Sequence, residues 1–127
     1  MSESISILIV DDSLSIASTL ADILELKGYT AHAVNSGTEA LQMLRTQPAD
    51  ILLTDIRMPD MNGVELYRAA RKMLPKLVAL FMTAYSADDI IQEGMAEGIK
   101  AVITKPVDID LLLSMCSAYQ YILPQAD

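Results

Sequence analysis

Five short apolar runs, residues 5–10, 30–35, 50–54, 77–82 and 101–104, alternate with stretches whose apolar residues recur at helical spacing. At least three of these runs are apolar almost without interruption. Such runs mark strands covered on both faces, and strands covered on both faces belong to parallel sheets. Strand followed by helix, repeated along the chain, predicts a doubly wound α/β domain whose right-handed crossovers lay helices on both sides of the sheet.

The helices are spaced by their own apolar residues. Ile16, Leu20, Ile23, Leu24 and Lys27 mark the first, with Ser13 placed to cap it and Gly28 to end it. The second starts at residue 36 or 38 and buries Ala40, Leu41 and Leu44 before Pro48 stops it. Val64, Tyr67, Ala70, Met73 and Leu74 mark a third between Asn62-Gly63 and Pro75. Ile90, Ile91 and Met95 mark a fourth between Ala87 and Glu97, ended by Gly98. Asp108 is placed to cap a fifth, whose Leu111, Leu112, Met115 and Tyr119 face inward. At 127 residues the chain fits one domain spanning 1–127, with a core over about 5–122.

Ligands of such a sheet bind outside the carboxyl ends of its strands. Those ends carry Asp11-Asp12, Asn35, Asp55, Thr83 and Lys105-Pro106 in turn. Three carboxylates in one partly desolvated rim repel unless a cation relieves them. An oxygen-rich set without sulfur or imidazole suits a hard divalent ion, Mg²⁺ or Mn²⁺. The cation explains why a buried strand can end in adjacent like charges. A metal alone does not call for Thr83 and Lys105. An ammonium and a hydroxyl suit phosphoryl oxygens, and phosphoryl transfer is chiefly a matter of neutralising charge on the moving group. The nucleophile is then a carboxylate, and Asp55, ending the central strand, is best placed to form an acyl phosphate.

Composition narrows the partners. Seventeen acidic residues against nine basic ones give a net charge of −8, which repels nucleic acid and anionic membrane. The N-terminus has no signal-peptide pattern, no run approaches the ~20 apolar residues of a membrane span, and a single cysteine makes no internal disulfide. A cytoplasmic protein is expected. His32, on the alternating second strand without a histidine partner, reads as a surface or edge residue, and Cys116 as a small hydrophobe of the last helix.

The motifs "ILIVDDS", "LLTDIRMPDMNGVEL", "LFMTAYS" and "ITKPVDID", in this order and at these intervals, closely resemble the receiver domains of two-component response regulators, including single-domain chemotaxis and sporulation-phosphorelay members. The resemblance covers essentially the whole chain. It implies a (βα)5 domain with a five-stranded parallel sheet in the flavodoxin-like order 2-1-3-4-5. It further implies Asp55 as phosphoacceptor, Asp12 and the less directly placed Asp11 as the acidic metal pair, Thr83 and Lys105 as phosphate contacts, and the main-chain carbonyl of Arg57 as a metal ligand. Pro106 is expected to follow a cis peptide bond. The phosphodonor would be a sensor histidine kinase or a histidine phosphotransfer protein, and the output would be binding to a downstream protein whose identity the sequence does not give. Such a protein catalyses only its own phosphorylation and dephosphorylation. Whether phosphorylation also drives dimerisation is left open.

One position departs from the pattern. Receivers commonly carry Tyr or Phe three residues before the lysine, and here that residue is Val102, too small and stiff to swing a ring between solvent and core. Tyr85, two residues beyond Thr83, is expected to take over part of the signalling role. Two other readings compete. A haloacid-dehalogenase-like phosphatase uses a similar rim, but its second aspartate would fall at Arg57 and the chain has no room for a cap domain. A degenerate receiver serving only for docking or dimerisation is suggested by Val102 and opposed by the intact acidic, threonine and lysine set. Only "YILPQAD" follows the fifth helix, so no effector domain is expected within this chain, whether it is a stand-alone regulator or part of a longer protein.

Overall fold

The computed structural model describes residues 5–85 and 88–120. Strands β1 (Ser6–Val10), β2 (Thr30–Val34), β3 (Ile51–Asp55), β4 (Val78–Thr83) and β5 (Ala101–Thr104) form one parallel sheet in the order β2-β1-β3-β4-β5. Between and after them lie α1 (Leu14–Leu26), α2 (Gly37–Thr46), α3 (Gly63–Met73), α4 (Asp89–Glu97) and α5 (Ile109–Gln120). The doubly wound architecture and the 2-1-3-4-5 order expected from the sequence are what the chain adopts.

Alternation within the strands builds two cores. Ile7, Ile9, Ile51, Leu53, Leu80, Met82 and Ile103 turn to the face covered by α1 and α5. Leu8, Val10, Leu52 and Phe81 turn to the opposite face, under α2, α3 and α4. Every residue of β3 and β4 is buried, as the uninterrupted apolar runs require.

Two strands extend one residue beyond their apolar runs. Asp55 pairs with Met82 and Thr83 with Thr104, because the ladder joins backbone groups and does not stop where side chains become polar. Asp55 and Thr83 are therefore the last strand residues, held by the ladder, and not the first residues of loops.

The inward helix faces differ in detail from their spacing. In α1 the buried stripe is Ala17, Leu20, Ala21 and Leu24, while Ile16 is 42% exposed. Small alanines at 17 and 21 let the helix lie close on the sheet and rotate Ile16 outward. In α5, Leu112 and Cys116 are buried and Leu111 is 44% exposed. In α4, Gly94 faces in and Met95 out, since the fully buried Phe81 ring fills the place a side chain at 94 would take. Asp88 caps α4 by accepting from Ile90 N at 3.0 Å; the expected start at Ala87 and the expected core end at residue 122 lie outside the described residues. Gly98 ends α4 in the left-handed region at φ 118°, where a side chain would be strained, and the turn is closed by Ile99 N donating to Gly94 O at 3.0 Å.

Candidate functional site

Parallel strands deliver their carboxyl ends to one rim, and the polar residues found there are those expected from the sequence. Asp11 follows β1 and is fully buried. Its Oδ1 accepts from Ser13 N at 2.9 Å, a turn that takes the place of the side-chain cap expected of Ser13, whose hydroxyl caps nothing. Asp12 is exposed beside it. Asp55, 9% exposed, accepts from Ile56 N at 2.8 Å through Oδ1.

Lys105 joins these groups. Its N–H donates to Thr83 O at 2.7 Å, tying the end of β5 to the end of β4, and its peptide bond to Pro106 is cis, as expected. Lys105 Nζ donates to Asp55 Oδ2 at 2.8 Å and stands 2.7 Å from Asp11 Oδ2. The second contact is an ion pair without hydrogen-bond alignment, so the buried Asp11 Oδ2 has no hydrogen-bond donor among the described residues. Burial by itself would push the Lys105 ammonium down; its close contacts with the Asp11 and Asp55 carboxylates outweigh that and hold the group above the ordinary lysine value.

Carboxylate oxygens of Asp11, Asp12 and Asp55 lie within 4.8 Å of one another. Partial burial, followed by Asp11 and by the charge of Asp55, holds the Asp12 carboxyl above its usual range despite the opposing pull of Lys105. Three carboxylates against one ammonium leave two negative charges in the rim. A divalent cation fits this set on three grounds. The donors are all oxygen, the residual charge matches, and Asp11 Oδ2 is a buried acceptor without a donor.

Thr83 is 3% exposed, and its hydroxyl is closed onto the next loop: it accepts from Tyr85 N at 2.9 Å and donates to Tyr85 O at 3.1 Å. The Tyr85 side chain is 74% exposed. Val102 is half-buried on β5 directly opposite Phe81 on β4, packed against the core under α2, α3 and α4. The structure thus brings Asp11, Asp12, Asp55 and Lys105 together and leaves Thr83 on the adjoining strand end.

Two side-chain contacts of the loop after β3 were not foreseen. The Arg57 side chain forks onto Asp88, with Nε to Oδ2 and Nη2 to Oδ1 both at 2.9 Å. Asp60, in the same loop, accepts from Thr38 N and Thr38 Oγ1, each at 2.8 Å, and from Gly37 N at 3.3 Å, tying the loop to the start of α2. Asp60 lies five residues past Asp55 in a polar segment, which reads as an ordinary turn, and only the fold brings α2 to it.

Fold and rim together define an acidic-pocket protein of the flavodoxin-like, doubly wound type. The response regulator receiver domain model matches residues 7–117, and the chain belongs to that family. A response regulator receiver protein of Anaeromyxobacter sp. (strain Fw109-5) is 41% identical over 108 residues, covering 85% of this chain and 45% of that protein. The transcriptional regulatory protein ZraR of Escherichia coli (strain K12) is 36% identical over 110 residues, 87% of this chain but 25% of that protein. The chain thus spans less than half the length of these relatives. Sporulation initiation phosphotransferase F of Bacillus subtilis (strain 168), by contrast, is 31% identical over 113 residues, 89% of this chain and 91% of that protein. Among solved structures, the chemotaxis protein CheY4 of Vibrio cholerae superposes with a TM-score of 0.84 at 29% identity, covering 91% of this chain and 98% of that one. The chain is a two-component receiver domain, a signalling module.

Proposed function

We propose that the chain, as one receiver domain over residues 1–127, accepts a phosphoryl group on Asp55 from a phosphohistidine, with Mg²⁺ bound at the rim, and that the new charge changes which downstream protein it binds. A sensor histidine kinase or a histidine phosphotransfer protein would be the donor, and a cytoplasmic location follows from that choice. The observation that carries the reading is the Lys105 ammonium set between Asp11 and Asp55 at 2.7 and 2.8 Å, beside a cluster of carboxylates with an acceptor to spare.

Asp11, Asp12, Asp55 and the Arg57 main-chain carbonyl would hold the cation, with Mn²⁺ a substitute for Mg²⁺. The bound ion supplies charge neutralisation at the phosphoryl oxygens. An Asp55 carboxylate oxygen attacks phosphorus, the new O–P bond forms as the P–N bond to the donor imidazole breaks, and the imidazole leaves and takes up a proton. Lys105 offers a charge-assisted hydrogen bond to the arriving group, while burial of the rim lowers the screening of that interaction. Thr83 can donate to a phosphoryl oxygen once its hydroxyl lets go of Tyr85 O, which couples the reaction to the loop after β4. Tyr85, exposed in that loop, would report the change to a partner. Reversal of the switch is attack of water on phosphorus, which breaks the O–P bond and returns the Asp55 carboxylate and inorganic phosphate.

Hydroxylamine cleavage tests the reading. Protein treated with acetyl phosphate and Mg²⁺ and then with hydroxylamine should carry a hydroxamate at Asp55 on peptide mass mapping. A hydroxamate at Asp11 or Asp12, or at none of the three, would reject it.

A further inference from the structure

Arg57 lies two residues past Asp55, in the loop that leaves β3. Its planar guanidinium meets both oxygens of Asp88 at 2.9 Å, a two-point contact that fixes orientation as well as distance. The Asp88 side chain is 7% exposed, and the residue does three further things. Its Oδ1 caps α4 by accepting from Ile90 N at 3.0 Å, its backbone carbonyl accepts from Ile91 N at 3.0 Å, and its own N–H donates to Tyr85 O at 3.3 Å. Tyr85 O also accepts the Thr83 hydroxyl at 3.1 Å. One residue thus joins the loop of the acceptor carboxylate, the first turn of α4 and the backbone group that occupies Thr83. Farther along α4, Gly94 seats the helix on the buried Phe81 ring. Since the Arg57 side chain is 65% exposed, the fork contributes little to stability and its role lies in geometry.

We propose that Asp88 is a positioning residue for Asp55: through its fork with Arg57 it makes the loop after β3 and the first turn of α4 move as one body, so that occupancy of the rim is transmitted to α4. This rests on Asp55 being the phosphoacceptor.

The test is hydrogen exchange at the Ile90 and Ile91 amides of the full chain, with and without Mg²⁺ and beryllium fluoride, in wild type, Arg57→Ala, Asp88→Asn and the double variant. Asparagine keeps an oxygen for the α4 cap, so a loss of helix start is separated from a loss of the fork. The mimic should change exchange at both amides in wild type. Each single variant should reduce that change by about fivefold, the scale of a modest coupling between sites. The double variant should lose no more than either single one. A wild-type response in either single variant, or losses that multiply in the double, overturns the proposal. Intact-mass labelling of the wild type with acetyl phosphate is run alongside. If the wild type takes no label at Asp55, the phosphoacceptor reading fails and this inference falls with it; a label together with an unaltered α4 response in the variants rejects the positioning role alone.

Discussion

Lys105 Nζ donates to Asp55 Oδ2 at 2.8 Å across fifty positions of sequence, and the same ammonium stands 2.7 Å from the buried Asp11. Removing it leaves two largely buried carboxylates without a counter-charge. Lys105→Ala should therefore destabilise the metal-free protein by about 2 kcal/mol, below the full cost of breaking a buried pair because the side chain is 19% exposed. Urea unfolding measures this. Adding Asp55→Asn to Lys105→Ala should recover part of the loss, and Mg²⁺ should restore stability to the single variant. The stability contributed by the raised Lys105 value is fully present below the ordinary lysine pKa of 10.5 and is lost as pH rises through the higher value of the folded state.

Asp12 adds the third negative charge at the rim and is held above its normal carboxylate range by partial burial and by its two acidic neighbours. Asp12→Asn should stabilise the metal-free protein slightly, by less than about 1 kcal/mol after solvent screening, while weakening Mg²⁺ binding by at least about tenfold. Thermal unfolding with and without Mg²⁺ reads both effects. Their opposite signs distinguish a functional carboxylate from a structural one.

Acid should loosen the loop after β3. Burial alone would raise Asp60, but the Thr38 hydroxyl and the N–H groups of Thr38 and Gly37 outweigh it and hold the carboxyl below the usual 3.8. A lowered folded value means the unfolded chain binds the extra proton first. Asp60 therefore contributes stability that is fully present above the ordinary value and is lost as pH falls through the folded one. Asp88 behaves alike, lowered by the Arg57 fork and by Ile90 N. Circular dichroism on lowering the pH from 6 to 2, roughly the span over which carboxylates titrate, should show a shallower stability loss in Asp60→Asn than in wild type.

Phe81 sets the seat of α4. A Cβ at Gly94 would overlap its ring, and the ring is fully buried with no room to retreat. Gly94→Ala should cost about 2 kcal/mol in urea unfolding in spite of alanine's better helix propensity. Combining it with Phe81→Leu, which removes the obstructing edge, should cost less than the two single effects added together.

Most of the fold and the pocket was legible in the sequence because both follow from periodicity. Near-continuous apolar runs set between helical spacings identify strands covered on both faces, a parallel sheet sends every strand end to one rim, and so Asp11, Asp55 and Lys105 meet although they are far apart in the chain. Side-chain partners between loops were not legible. Arg57 and Asp88 are separated by 31 positions, and a loop arginine in an acidic chain has many carboxylates within conceivable reach. Helix rotation was legible only in part, since Ile16 and Leu111 fit an inward stripe by spacing, yet alanines at 17 and 21 and the pair Leu112 and Cys116 set the angle at which each helix lies down.

The most direct test of the central claim is the intact mass of the full chain after acetyl phosphate treatment, with and without Mg²⁺, in wild type and in Asp55→Asn. A single phosphoryl adduct, as expected for one acyl phosphate, should form on the wild type only when Mg²⁺ is present and should be missing from the variant. An adduct that persists in Asp55→Asn, or that forms equally well without the metal, would contradict the assignment of the pocket.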